Sequence, residues 1–335
     1  MKRHLTYLLL LVICPLMGWA QINTERVMAI GRNALYFEDY VLSIQYFNQV
    51  INAKPYLADP YFFRGLAKIN LDDFSGAESD CTEAIERNPF VVNAYQVRGL
   101  ARIQQDKLAD AVKDYQKALE LDPENIALWH NLALCRIRQK EYDAAKNDLD
   151  RLIIISPRYT KAYLMRGEVD LKQKDTLTAE KDFNRAIEID RYDPDTWASR
   201  GMLYLMKEQY KEAEEDLGKA IHLSVRNPGL YINRALARYH QNNLRGAMAD
   251  YDLAIDMDAN NFIGHYNRGL LRAQVGDDNR AIEDFNFVIE MEPDNMMAIF
   301  NRGLLLDQTG DLRGAIKDYT RVLEEYPNFL AGYQY

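Results

Sequence analysis

A period of 34 residues runs through the chain and limits its possible folds more than any other feature. No insertion or deletion interrupts the period. It is seen first in small residues, each 34 positions after the last: Gly31, Gly65, Gly99, Ala133, Gly167, Gly201, Ala235, Gly269 and Gly303. A period of this length is typical of solenoids, in which each repeat is one supersecondary unit that buries its apolar face against its neighbours.

The second half of each repeat carries a small, a large and a small residue at i, i+4 and i+7, as in Ala179, Phe183 and Ala186. This spacing places all three on one face of a helix. Short side chains let two antiparallel helices approach closely, and the large residue fills the space beside them. The pattern therefore predicts an all-α chain with one helical hairpin per repeat.

Two further positions recur with the same period. Proline ends the second helix in six repeats, and an aromatic residue stands near the start of the first helix in six. The prolines are Pro55, Pro89, Pro123, Pro157, Pro293 and Pro327, and the aromatic residues are Tyr61, Tyr95, Trp129, Tyr163, Trp197 and Tyr231. Arg191, Val225 and Ala259 replace proline in repeats 5 to 7, where we expect looser or longer helix ends.

These positions together resemble the tetratricopeptide repeat family, in the form found in exported bacterial proteins. The resemblance implies a right-handed superhelical solenoid of nine helix-turn-helix hairpins, with the first helices lining the concave side. The nine repeats are predicted at 24–57, 58–91, 92–125, 126–159, 160–193, 194–227, 228–261, 262–295 and 296–329. The chain departs from the family pattern in two ways. It has Arg before the glycine where the family usually has Leu, and it lacks three of the prolines.

Residues 1–20 differ from the rest of the chain. Lys2 and Arg3 precede an apolar run, and small residues stand just before Gln21, which predicts a secretory signal peptide cleaved before Gln21 and a periplasmic or secreted protein. Alternatively, Cys14 is the attachment site of a lipoprotein. No other apolar run is long enough for an integral membrane span. The net charge of −9 disfavours nucleic acid as a partner.

Arginines immediately before the small residue of the first helix are each followed, sixteen residues later, by an aspartate. The constant spacing predicts structural ion pairs within or between neighbouring hairpins, and the alternative is a binding site for an anionic ligand. The predicted pairs are Arg64 and Asp80, Arg98 and Asp114, Arg166 and Asp182, Arg200 and Asp216, Arg234 and Asp250, Arg268 and Asp284, and Arg302 and Asp318.

The sequence offers no catalytic, cofactor or metal signature, so we expect no enzyme. Its glycines stand singly at repeat positions, and its histidines lack the spacing of a metal pair on one helix. Cys81 and Cys135 fall at core positions of different repeats and are expected to be buried thiols.

The resemblance implies that a protein or peptide binds on the concave face of the first helices. The row containing Phe62, His130, Tyr266 and Phe300 is expected to project most freely there, and exposed apolar and aromatic side chains suit such a partner. The leucine and isoleucine rows beside it either bind the partner or pack between adjacent helices. The candidate partner-binding residues are Phe62, Gln96, His130, Arg138, Lys172, Tyr239, Tyr266 and Phe300.

The predicted function is a non-enzymatic interaction scaffold in the cell envelope that holds an extended peptide or a partner helix. The alternatives are a module that binds a glycan or envelope polymer, and the sensing or docking part of a larger protein. Residues 330–335 start a further helix, with Tyr333 at the aromatic position. This start predicts a truncated chain or, failing that, end-to-end self-association.

Overall fold

A computed structural model describes residues 23–327. The predicted signal peptide, Cys14 and the start of a further helix at 330–335 lie outside the described residues. Within the described range the chain forms eighteen α-helices and no strand. The all-α class and the helical repeat predicted from the sequence are therefore confirmed.

Each repeat contributes two helices, here called the A helix and the B helix. The A helices are α1 Thr24–Tyr36, α3 Asp59–Ile69, α5 Val92–Gln104, α7 Ile126–Arg138, α9 Thr160–Lys172, α11 Pro194–Met206, α13 Pro228–His240, α15 Phe262–Gln274 and α17 Met296–Gln308. The B helices are α2 Tyr40–Ala53, α4 Phe74–Arg87, α6 Leu108–Leu121, α8 Tyr142–Ile155, α10 Thr176–Ile189, α12 Tyr210–Leu223, α14 Leu244–Met257, α16 Asp278–Met291 and α18 Leu312–Glu325.

The chain divides between Gln139 and Lys140 into two compact units. The first unit holds α1 to α7, and the second holds α8 to α18. Inside each unit, a helix packs against the next helix in the chain and against the following helix of its own kind, as α9 does against α11 and α11 against α13.

Short polar residues start the helices and a left-handed residue closes each tight turn. Asp175 caps α10 by accepting the amide of Thr178, and Asp73 caps α4 through the amide of Gly76. Asp72 before the latter cap has a φ of 58°. Because an αL residue ends a helix and reverses the chain, the B helix can return antiparallel within a few residues.

The core of most hairpins depends on a glycine of the A helix that faces a large side chain of the B helix. A Cβ at Gly167 would lie 2.6 Å from Phe183 Cε1, and one at Gly99 would lie 2.8 Å from Tyr115 Cζ. Both rings are fully buried. The small residue predicted from the sequence is therefore the point of closest approach between the two helices.

The B helices of repeats 5 to 7 end at the same repeat position as the others, at Ile189, Leu223 and Met257, so the expectation of looser or longer ends is wrong. The amide after each of these helices still bonds back to the helix, as Asp190 does to Ala186. The residue in place of proline accepts from the next A helix, as the Arg191 carbonyl does from Trp197 Nε1 at 2.9 Å. These two contacts fix the helix end without proline.

Cys81 and Cys135 are buried free thiols, as expected. Burial raises the pKa of Cys81 to about 12 and that of Cys135 to about 11. Both sulfurs therefore stay protonated and unreactive at neutral pH. From residue 23 to residue 327, every helix is too short or too polar to cross a membrane.

Two glycine substitutions test the close approach. Gly167→Ala should destabilise the protein by about 1 to 3 kcal/mol, because its methyl group overlaps the Phe183 ring. Gly218→Ala is the matched control, since a Cβ there meets nothing within 4 Å. Alanine in that helix interior should stabilise the protein by about 0.5 to 1 kcal/mol. Thermal melts followed by circular dichroism measure both; equal shifts in Tm would contradict the close-packing account.

Candidate partner-binding face

All seven predicted Arg and Asp pairs form, and each lies within one hairpin. Arg166 Nε and Nη2 each donate to Asp182 at 2.7 Å, and Arg234 donates to Asp250 at 2.9 and 2.6 Å. The same bidentate contact joins the other five pairs. The aspartates are buried, so each carboxylate depends on its arginine for compensation.

The remaining guanidinium nitrogen ties most of these arginines to the preceding repeat. Arg200 Nη1 donates to Asn184 Oδ1 at 2.5 Å, and Arg268 Nη1 donates to Asp252 Oδ1 at 2.8 Å. The sequence interpretation left open whether the pairs act within or between hairpins. The structure shows both: aspartate within the hairpin, and a second polar residue on the repeat before it.

A second cation on five of these carboxylates was missed from the sequence. On Asp216 it is Lys219, three residues further along the same helix, at 3.5 Å. On the other four it comes from the A helix. Arg102 Nη1 lies 2.8 Å from Asp114, and Lys68, Arg238 and Arg272 contact their own aspartates in the same way. The signal was present, because these cations stand four residues after the paired arginines with the same 34-residue period. The arginine donors are occupied by protein oxygens, which favours the structural role over the anion-binding alternative.

The row expected to project most freely is more buried than predicted. Phe62 is only 9% exposed and its ring centre lies 5.0 Å from that of Phe63. Tyr266 is half-buried, its ring packs edge-on against Phe285, and its hydroxyl accepts from Asn301 at 3.2 Å. Phe300 is half-buried beside Tyr319. Tyr266 and Phe300 pack against the B helix of their own hairpin, and Phe62 is almost fully buried, so the expectation of free projection is wrong for these three residues.

The other candidates divide between the two units. In the first unit, Gln96 and His130 are half-buried, and Arg138 is exposed at the end of α7. In the second unit, Lys172 is exposed at the end of α9, and Tyr239 is half-buried against His240. Of the candidates, the two cations Arg138 and Lys172 are therefore accessible to a partner, and most of the aromatic residues are accessible only in part.

Two apolar side chains near the middle and the end of one A helix are well exposed and were not among the candidates. Met202 is 48% exposed and Met206 57% exposed, both on α11. Lys172 and Glu168 on α9, and His240 on α13, are exposed on the two neighbouring A helices. We call these five residues the α9–α13 face. Methionine suits such a surface because its flexible, polarisable side chain adapts to different partners.

Glu168 is the acidic group of this face. Its residue is exposed, yet the surrounding protein removes enough water to raise the pKa of its carboxyl group, and nearby Asp195 adds to the rise. The Ser199 hydroxyl of α11 donates to Glu168 at 3.0 Å and offsets part of the effect. This hydrogen bond joins α9 to α11 at the face.

No group of three histidine, cysteine or acidic side chains is placed to hold a metal ion in the part of the chain that the structure describes. The chemistry of the α9–α13 face is therefore that of its own side chains: two thioethers, a carboxyl group, an ammonium group and an imidazole. Such a set offers apolar, hydrogen-bonding and charged contacts to a partner.

The paired charges generate a double-mutant test. Arg200→Leu leaves Asp216 buried without its bidentate partner and should destabilise the protein by about 3 kcal/mol. Replacing both residues by leucine should cost much less, because no uncompensated charge remains. Thermal and urea unfolding measure the difference. Equal stability of the single and double variants would show that the pair does not act as a unit.

Comparison with known proteins places the repeat in a family. The family model described as "Tetratricopeptide repeat" matches residues 130–194, 199–262 and 266–328, which is more than half of the chain. A second model, described as "TPR repeat", matches residues 99–136. A comparison with curated proteins gave no match.

Several solved structures share the fold. A tetratricopeptide repeat protein from Parabacteroides merdae is 22% identical with a TM-score of 0.59, over 74% of this chain and 98% of that one. PilF of Pseudomonas aeruginosa is 16% identical with a TM-score of 0.58, over 64% and 96%. The Cut9-Hcn1 assembly of the APC/C is 15% identical with a TM-score of 0.60, over 87% and 57%.

Sequence identities this low establish a shared fold, but they do not identify a binding partner. The family model, by contrast, rests on the same periodic residues that build the hairpins. The chain therefore belongs to the tetratricopeptide repeat family.

Proposed function

We propose that the protein is a non-enzymatic scaffold that binds a peptide segment of a partner protein on the α9–α13 face. The observation that carries the proposal is the exposed pair of methionines, Met202 and Met206, on α11, the A helix to which Glu168 of α9 is hydrogen-bonded through Ser199. Tetratricopeptide repeats generally mediate protein–protein interactions, and proteins of this fold are typically non-enzymatic scaffolds.

The side chains of this face define the segment it suits. Met202 and Met206 offer apolar surface that an apolar side chain of the partner removes from water. Glu168, with Asp195 close by, favours a basic group at one end of the segment. Lys172, in the last turn of α9, favours an acidic or carbonyl group nearby. The proposed partner segment therefore combines apolar side chains with at least one lysine or arginine.

We also propose that this binding takes place in the cell envelope, after removal of the signal peptide. Support comes from residues 1–20 of the sequence, with their basic start, apolar run and small residues before Gln21. Mass spectrometry of the N-terminal peptide of the protein purified from its native cells should find position 21 first, as glutamine or as the pyroglutamate that it forms by cyclisation. Recovery of the chain from the cytoplasmic fraction with Met1 intact would contradict the location.

The binding face is tested by charge. The double variant Met202→Glu, Met206→Glu places two carboxylates beside Glu168 and should weaken partner binding about tenfold or more, because apolar contacts are lost and charge is added. Partners captured from envelope extracts on the tagged wild-type protein supply the ligand, and titration with the purified partner measures the loss.

Leu253→Glu is the matched control, since Leu253 is 43% exposed on the B helix α14 of the same unit. It should leave binding unchanged, and circular dichroism should show the same helix content for all variants. Equal binding by the wild type and the double variant would move the partner away from the α9–α13 face. Loss of partner binding by Leu253→Glu would also move the partner away from that face.

A further inference from the structure

The outer side of repeat 6 contains a cavity that the partner-binding face does not use. It has a volume of about 400 Å³ and lies in the second unit, between the start of α11 and the B helix α12. Tyr192 and Trp197 supply its aromatic walls, Gly218 leaves one side open, and Arg191, Lys219 and His222 stand around it. A neighbouring cavity of about 560 Å³ shares Arg191, Tyr192 and Trp197.

Departures from the repeat pattern concentrate at this cavity. Gly218 replaces a side chain that every other repeat carries at its position: Asn48, Thr82, Gln116, Asp150, Asn184, Asp252, Asn286 and Thr320. His222 stands where six repeats carry an acid: Glu86, Glu120, Glu188, Asp256, Glu290 and Glu324. Arg191 stands where six repeats carry proline. Gly218 opens space, His222 removes a negative charge, and Arg191 adds a positive one.

The cations at the cavity are held beside the aromatic rings. Lys219 Nζ lies 4.2 Å from the centre of the Trp197 ring, and Arg191 Cζ lies 4.9 Å from that of Tyr192. Trp197 Nε1 donates to the Arg191 carbonyl at 2.9 Å and so fixes the indole plane. The acidic lining residue is Glu215, so the formal charge around the cavity is positive in a chain whose net charge is −9.

We propose that this cavity binds a carboxylate-bearing pyranose, the repeating unit of an acidic polysaccharide. The C–H groups on one face of a pyranose are weakly positive and pack against the negative face of an aromatic ring. Lys219 and Arg200 both lie over the Trp197 ring, so the stacking surface is that of Tyr192, which is 66% exposed. The carboxylate meets Arg191 and Lys219, and the ring hydroxyls meet His222 and Glu215.

A sugar fits this lining better than a peptide segment does. Apart from the two aromatic rings, the aliphatic lining residue is Leu223. Arg191 and Lys219 are exposed, so an apolar peptide side chain would take water from them without replacing its contacts, whereas a carboxylate replaces those contacts. An aromatic face of the protein that is rimmed by charged groups matches the C–H face of a sugar ring that is rimmed by hydroxyls and a carboxylate. The site lies on α12 and the loop before α11, so it is separate from the α9–α13 face.

Isothermal titration of the mature protein with α-1,4-linked tetragalacturonate tests the proposal, with neutral maltotetraose as the matched probe. The acidic tetrasaccharide should bind, and maltotetraose should bind at least about tenfold more weakly because it lacks the carboxylates. Failure of tetragalacturonate to bind at millimolar concentration, or equal binding of the two sugars, would overturn the proposal.

Two variants that copy other repeats separate binding from folding. Tyr192→Asn introduces the residue found at Asn260, and Arg191→Pro restores the usual proline while keeping the carbonyl that Trp197 contacts. Each should weaken tetragalacturonate binding about tenfold with little change in Tm. Tyr56→Asn, which alters the equivalent exposed tyrosine of repeat 1, should bind as the wild type does.

Two results would assign the cavity differently. Unchanged affinity in both Tyr192→Asn and Arg191→Pro would place any sugar binding elsewhere. Tight binding of a poly-glutamate peptide that both variants abolish, with weaker binding of tetragalacturonate, would make the ligand an acidic peptide. The Met202→Glu, Met206→Glu variant should keep the sugar affinity, so failure here and failure of the proposed scaffold function are distinguishable.

Discussion

The close approach of the two helices in each hairpin is the constraint on which the rest of the structure depends. Gly167 against Phe183 and Gly99 against Tyr115 leave no room for a Cβ, so the ring fills the space that a side chain on the A helix would take. A single hairpin cannot bury its apolar surface, and stability in such arrays comes mainly from contacts between neighbours. Because the spacing within each hairpin is fixed, the next hairpin meets the same surface every time.

Directional contacts then fix how neighbours meet. Each paired arginine donates two hydrogen bonds to an aspartate of its own hairpin, and most of them donate a third to the preceding repeat. Arg200 does so to Asp216 and Asn184. The tyrosine or tryptophan near the start of the A helix donates to the carbonyl at the end of the previous B helix, as Tyr163 does to Pro157 at 3.1 Å. Such contacts favour one register among repeats that look alike.

Features set by spacing within one repeat could be predicted from the sequence, and features set by contacts between neighbouring repeats could not. Hairpins and Arg–Asp pairs follow from spacing within one repeat, because residues at fixed offsets on two antiparallel helices must face each other. The exposure of Phe62 depends on its neighbour Phe63 and on the next A helix, so spacing alone misjudged it. The helix ends without proline were misjudged for the same reason, since Trp197 of the following repeat holds Arg191 in place.

The binding proposal rests on the side chains that this packing leaves exposed, and photo-crosslinking tests it most directly. A benzoylphenylalanine at position 206, on α11, should form adducts with the partner protein, because Met206 is exposed on the α9–α13 face. The same probe at position 253, on α14, should form none. Adducts from position 253 and none from position 206 would contradict the account.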